Sequence, residues 1–177
     1  YRGVYKESVF FPSALNGAVE LRGIGQVIID GESVRSVGVD FGYPSGGPGD
    51  LDRTLRGFIV RNHTEANVRA RGNNLGASTT QAAKVRSCIL HAAPRGLEFK
   101  FGSGSPGGWD IQDSLVYDCA TAGLYRASPE ANYSIPVRAK NCTIHNCGAG
   151  FLSDIPHSAD LYNIAFSSCA RDIDFGG

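Results

Sequence analysis

Five stretches of the chain lie over one another residue by residue: Phe58-Ile59-Val60, Cys88-Ile89-Leu90, Ser114-Leu115-Val116, Cys142-Thr143-Ile144 and Ile164-Ala165-Phe166. A second apolar segment follows each: Val68 and Ala70, Leu97 and Phe99, Leu124, Phe151, then Ile173 and Phe175. The third residues of the triplets fall at 60, 90, 116, 144 and 166, so the steps are 30, 26, 28 and 22 residues. Short period-2 segments recurring at that interval, joined by Gly, Asn and Asp, predict a solenoid. No stretch carries apolar residues at i, i+3, i+4 and i+7 over ten positions, which argues against helices. A β-sandwich also has short strands and many turns, but it gives no reason for one column of residues to recur.

The expectation is therefore an all-β chain, a right-handed parallel β-helix in which each repeat makes one coil and equivalent strands stack ~4.8 Å apart. Glycine, 23 of 177 residues, supplies the left-handed conformations that so many turns need. Earlier coils are expected at Val19 to Gly31 with Val37 to Phe41, and at Val4 to Phe11. Six to seven coils then fit in a single domain, residues 1–177, with no significant helix.

The segments Asn141-Cys142-Thr143-Ile144-His145-Asn146-Cys147 and Leu55-Arg56-Gly57-Phe58-Ile59-Val60-Arg61-Asn62 resemble the coil pattern of the pectin-lyase-like β-helix superfamily. Gly3 to Val9 and Gly23 to Gly31 are similar to its first coils. The resemblance implies a secreted or cell-surface protein and a β-helix. It names no reaction, because that superfamily holds lyases, hydrolases, esterases and non-enzymes.

Cys119, Cys147 and Cys169 occupy one column, and Cys88 and Cys142 another with Ser114 between them. Parallel stacking aims neighbouring Cβ vectors the same way, so a ladder of small buried thiols is expected rather than disulfides. The residues from Tyr1 to Gly177 show no signal-peptide pattern, no apolar run of 18 residues and no methionine. A solenoid needs its ends covered. The chain is thus expected to belong to a longer chain or an assembly, with end-to-end contact to another segment or subunit. The sequons at Asn62, Asn132 and Asn141 lean towards an extracellular site. Seventeen basic and seventeen acidic residues leave no global footprint for nucleic acid. Membrane insertion is not expected.

The second strand of each coil alternates in and out. With Val39, Val68, Leu97, Leu124 and Ile173 inward, Asp40, Arg69, Glu98, Tyr125 and Asp174 point outward in one line; Arg71 and Lys100 lie two positions further along, and Asp154 beside them. The longest insertions, at Tyr43 to Asp50, Gly72 to Gly76, Gly102 to Gly108 and Ser128 to Tyr133, all leave the coil just after this strand. Insertions gathered on one side of a repeat protein commonly wall its binding face. A polysaccharide is the expected partner of such a trough; an ordinary solvated face of ion pairs is the bland alternative.

Should the trough be catalytic, β-elimination of a uronate polymer needs a base for the C5 proton and cations for the charge that develops. Lys100 is the candidate base, with Arg69 and Arg71 holding the substrate carboxylate. Alginate and chondroitin lyases of that superfamily use Lys and Arg of this kind with a calcium ion held by acids, so the superfamily resemblance makes Glu98 and Asp40 the candidates for holding one. Glycoside hydrolysis needs two carboxylates across one bond, and Asp154 and Asp174 are the nearest pair. His91 and His145 share a column with Tyr117 between them, more simply an outward polar stack than a metal site. Two functions therefore stay open: a polysaccharide-active enzyme, a lyase, or a non-catalytic surface or fibre module stacking end to end.

Overall fold

The structure, a computed structural model, describes residues 2–11, 18–42, 53–71, 83–100, 109–127, 137–154 and 159–175. Its strands are β1 (Gly3–Tyr5), β2 (Val9–Phe10), β3 (Val19–Asp30), β4 (Val37–Asp40), β5 (Arg53–Arg61), β6 (Ala66–Arg71) and β7 (Ala83–Arg86), then β8 (Ile89–Lys100), β9 (Trp109–Gln112), β10 (Leu115–Ala127), β11 (Val137–His145), β12 (Ala149–Ser153), β13 (Ala159–Ser167) and β14 (Arg171–Phe175). Every pairing is parallel, as a coil with equivalent strands stacked requires. This is a parallel β-solenoid, consistent with a right-handed β-helix. Among the described residues no helix is long and apolar enough to cross a membrane.

Each coil has three faces. On the first, Leu21, Leu55, Val85, Ile111, Ala139 and Leu161 stack in register and point inward. On the second, Ile29, Val60, Leu90, Val116, Ile144 and Phe166 do so, which is the column of triplet ends read from the sequence. On the third the column is Val39, Val68, Leu97, Leu124, Phe151 and Ile173. These columns form one continuous core. Some inward positions break the apolar rule: Arg126, between Phe99 and Ser153 in register, is completely buried, and Ser153 and Arg53 are buried as well.

The solenoid makes about four turns, fewer than the six to seven coils expected. The two counts differ because β3, β5, β8, β10, β11 and β13 run around a corner and serve two faces each. By register, the first face stacks β3, β5, β7, β9, β11 and β13 in that order.

The corners explain the Asn and Asp that follow each triplet. Between first and second faces, Ser87, Asp113, Asn141 and Asn163 all have φ of 51–52°; between second and third, Asn62, Ala92, Asp118, Asn146 and Ser168 have φ of 50–59°. A single left-handed residue swings the strand through the corner, and Asn and Asp tolerate that conformation best after glycine. Their side chains then bond along the stack: Asn146 donates to Asp118 at 2.6 Å, Asn141 to Asp113 at 3.0 Å and Asn163 to Asn141 at 2.9 Å. Past the second corner the glycines lie directly against core side chains of the second face, so that a Cβ on Gly123 would meet Ile144 Cγ2 at 2.5 Å and one on Gly150 would run into the Phe166 ring.

Candidate functional site

The line of outward residues on the third face is a true register row: Asp40 lies beside Arg69, Arg69 beside Glu98 and Glu98 beside Tyr125. Leu152 then intervenes before Asp174. Asp154 does not take the place in the row beside Tyr125: Phe151 points inward, so Leu152 takes it and Asp154 lies two residues beyond. Asp154 is nevertheless brought in, because Tyr125 Oη donates to Asp154 Oδ2 at 2.7 Å.

The row is tied together by ions. Glu98, 2% exposed, accepts from Arg69 Nε at 2.5 Å on one oxygen and from Arg95 Nη1 at 2.8 Å on the other. Arg69, 6% exposed, also bonds Glu65 through Nη2. The Arg95 guanidinium lies over the Tyr125 ring, 4.6 Å from its centroid. A chain of contacts thus runs Glu65–Arg69–Glu98–Arg95–Tyr125–Asp154. Exposed surface pairs are worth about 0–1 kcal/mol. Removing one partner of a buried pair costs about 3–5 kcal/mol, because the other charge is left uncompensated. Glu98 belongs to the second class, so this is not an ordinary solvated strand face.

The network sets the protonation of its members. Burial first, and the hydrogen bond to Asp154 second, push the Tyr125 phenol up to about 12. The hydrogen bond from Arg69 holds the Glu65 carboxyl below the usual range. In Arg69 burial opposes the charge, and the bonds to Glu65 and Glu98 outweigh it and raise the guanidinium.

The residues proposed for elimination are placed unequally. Lys100 is exposed at the outer end of β8, in register with Arg71 on one side and Ala127 on the other. The Arg71 side chain lies outside the described residues. Arg69 already holds two carboxylates, so a substrate carboxylate reaching it displaces one of them. Asp174 is paired with Arg171, and Asp40 Oδ1 accepts from the Gly42 amide at 2.9 Å. A calcium ion does not fit at Glu98: both oxygens are on arginines, and a cation there would face two guanidinium groups. Among the described residues no group of three or more His, Cys, Asp or Glu is arranged to hold a metal ion. The insertions expected as walls, 43–50, 72–76, 102–108 and 128–133, lie outside the described residues.

Two members, Glu65 and Arg95, were not read from the sequence. Both sit just after the second corner, ahead of the alternating strand, where no inward partner marks their direction. The His91–Tyr117–His145 column is an outward stack on the second face: the His91 and Tyr117 rings are parallel within 5° at 4.6 Å, and His145 follows in register. Cys119, Cys147 and Cys169 are unpaired thiols on neighbouring coils, joined by backbone bonds from Gly148 to Cys119 and from Ala170 to Cys147. The Asn62 and Asn141 amides of two sequons are engaged along the stack, with Asp30 and Asp113. Compared with protein-family models, with curated proteins and with solved structures, the chain matches none of them.

Proposed function

We propose that the protein is a polysaccharide-recognising β-helix of pectin-lyase-like type that works outside the cell, with the third face as its glycan contact. One observation carries the reading: Tyr125 is half-buried, capped by Arg95 and bonded to Asp154, with Lys100 exposed beyond it. A fixed aromatic ring among fixed donors and acceptors suits sugar hydroxyls, because little conformational entropy is lost when the ligand arrives. The strip is close to electrically balanced, so it favours hydroxyl-rich segments over dense charge. Affinity electrophoresis in gels cast with neutral and acidic polysaccharides tests this; Tyr125→Phe, which removes the bond to Asp154, should weaken retardation. Unchanged mobility in every polymer overturns the proposal.

The lyase reading is favoured by an exposed lysine on the same face, two register positions along from a phenol that keeps its proton well above neutral pH. In it Lys100 takes the C5 proton and Tyr125 stands as the proton donor to the leaving oxygen, with Arg69 and Arg71 towards the carboxylate. Absorbance of the unsaturated product from alginate, pectate and chondroitin, with and without calcium, tests it, and a flat trace in all of them ends it. The non-catalytic module that stacks end to end is favoured by Ile173 and Phe175, each nearly half exposed on the last described coil, and by Phe10 on the first. Sedimentation velocity over a concentration series decides that reading.

A further inference from the structure

The first face carries a charge pattern unlike the rest of the molecule. Outward of the Leu21–Leu161 column, Arg22, Arg56, Arg86, Gln112, Lys140 and Tyr162 are consecutive register partners. Four are cations and none is an acid. The neighbouring outward row is Glu20, Thr54, Lys84, Asp110, Arg138 and Asp160. Together the two rows hold six cations and three acids, an excess of three on one face of a chain whose net charge is zero.

Like charges directly opposite on neighbouring strands are destabilising, and strands stack only ~4.8 Å apart. Three arginines in succession therefore oppose the fold on their own, and the acids beside them offset the cost unequally. Arg86 is fixed: its guanidinium bonds the Asp110 carboxylate at 2.5 Å and the Asp110 carbonyl at 2.8 Å. Arg56 lies 3.7 Å from Glu20, and Arg138 lies 3.4 Å from Asp160, with all four side chains exposed. Such pairs contribute little and exchange readily for another anion. Lys140 rests over the exposed Tyr162 ring at 5.5 Å, and Arg22 is exposed.

We infer that the first face binds a linear anionic polysaccharide lying along the solenoid axis, its carboxylates or sulfates meeting Arg22, Arg56, Arg138 and Lys140. This rests on the glycan-recognising reading, but it places the acidic polymer on a different face from the Tyr125 strip. Charge complementarity selects the class. Single-stranded nucleic acid uses a series of aromatic platforms for its bases, whereas Tyr162 is the lone outward aromatic on this face among described residues. The interleaved Glu20 and Asp160 accept hydrogen bonds from the hydroxyls of a sugar chain, donors that a phosphodiester chain such as poly(dT) lacks along its length.

The test is binding by affinity electrophoresis and calorimetry to polygalacturonate, heparin, neutral dextran and poly(dT), each at low and at raised salt. The expected result is retardation by polygalacturonate or heparin that weakens as salt rises, because bound cations displace the polymer's counterions. The two acidic polymers tell carboxylate from sulfate. Arg22→Ala with Arg56→Ala should weaken binding about tenfold, the effect of losing one charge-assisted contact or slightly more. Arg56→Lys should restore most of it. Retardation by dextran that Tyr125→Phe weakens speaks to the third face, whereas salt-sensitive retardation by the acidic polymers that the Arg22 and Arg56 substitutions weaken speaks to this one. Far-ultraviolet dichroism of each variant checks the coil, and Lys140→Gln gives an independent substitution should the arginine pair unfold. Binding of the acidic polymers that is indifferent to salt, full affinity for them in the charge variants, or tighter binding of poly(dT) each overturn the inference.

Discussion

The first and third faces share one register and one inward/outward alternation, yet they organise charge in opposite ways. On the third face opposite charges alternate across and along the coils, and its central carboxylate is buried between two arginines. On the first face like charges follow one another in a row and stay largely in solvent. The difference separates a surface whose charges are buried in pairs from one whose ion pairs stay mostly in solvent. In a solenoid, where successive coils are near copies, side-chain identity at one register position decides which of the two results.

The comparison breaks most easily at Glu98. Glu98→Ala leaves Arg69 and Arg95 without their shared carboxylate, and should lower unfolding free energy by about 3–5 kcal/mol in urea titration. A loss no larger than that of a surface substitution would make the third face as loose as the first. Gly123→Ala tests the backbone beneath the same strip: the added methyl meets Ile144 Cγ2 at 2.5 Å, and a loss of about 1–3 kcal/mol is expected from thermal unfolding.

A pH dependence sharpens the contrast. His63 is 2% exposed, and Nδ1 lies 3.0 Å from Asn67 Oδ1. Asn67 Nδ2 donates to the His91 carbonyl at 3.0 Å, so Oδ1 is the acceptor and His63 carries its proton on Nδ1. Nε2 has no hydrogen-bond partner among the described residues. Burial lowers the His63 pKa below the ordinary histidine value. Because the folded value lies below the unfolded one, the unfolded chain takes up the proton first. Stability is therefore highest above the ordinary histidine range and falls as pH drops through it towards the folded value. Urea midpoints measured from neutral to mildly acid pH should show that slope, and His63→Phe should flatten it. At the alkaline end the sign reverses for Tyr125: its folded pKa of about 12 is raised, so its contribution is present below the ordinary tyrosine range and lost as pH rises towards 12. Absorbance titration should show a late phenolate that is lost in Tyr125→Phe.

The smallest effect is expected on the first face. Arg56→Ala should shift stability by no more than about 0.5 kcal/mol, because its partner Glu20 stays in water. A large loss there would mean that the basic row is held as firmly as the Glu98 network.

Much of this was readable beforehand for a plain reason. Val60, Leu90, Val116, Ile144 and Phe166 each close a triplet whose outer members point to the core, and three residues of fixed alternation identify a strand and its direction. The same logic placed Asp40, Arg69, Glu98 and Tyr125 in one row. It failed at Leu152, since Phe151 stands between glycine and leucine and the alternation there has two solutions. It missed the basic row altogether. Thr54-Leu55-Arg56, Lys84-Val85-Arg86 and Arg138-Ala139-Lys140 offer one inward residue each, too little to stand out as a repeat until register aligns them.

Sequence alone determined the coil, because apolar periodicity and the Asn and Asp at the corners are local properties that each repeat states again. It also determined the order in which outward residues meet. Tertiary structure decided which of those meetings are buried and therefore strong: Glu98 with Arg69 and Arg95 inside, Arg56 with Glu20 in solvent. Charge interactions depend on the dielectric around them, and that is set by what the whole fold places over a face, which no alternation along one strand can record.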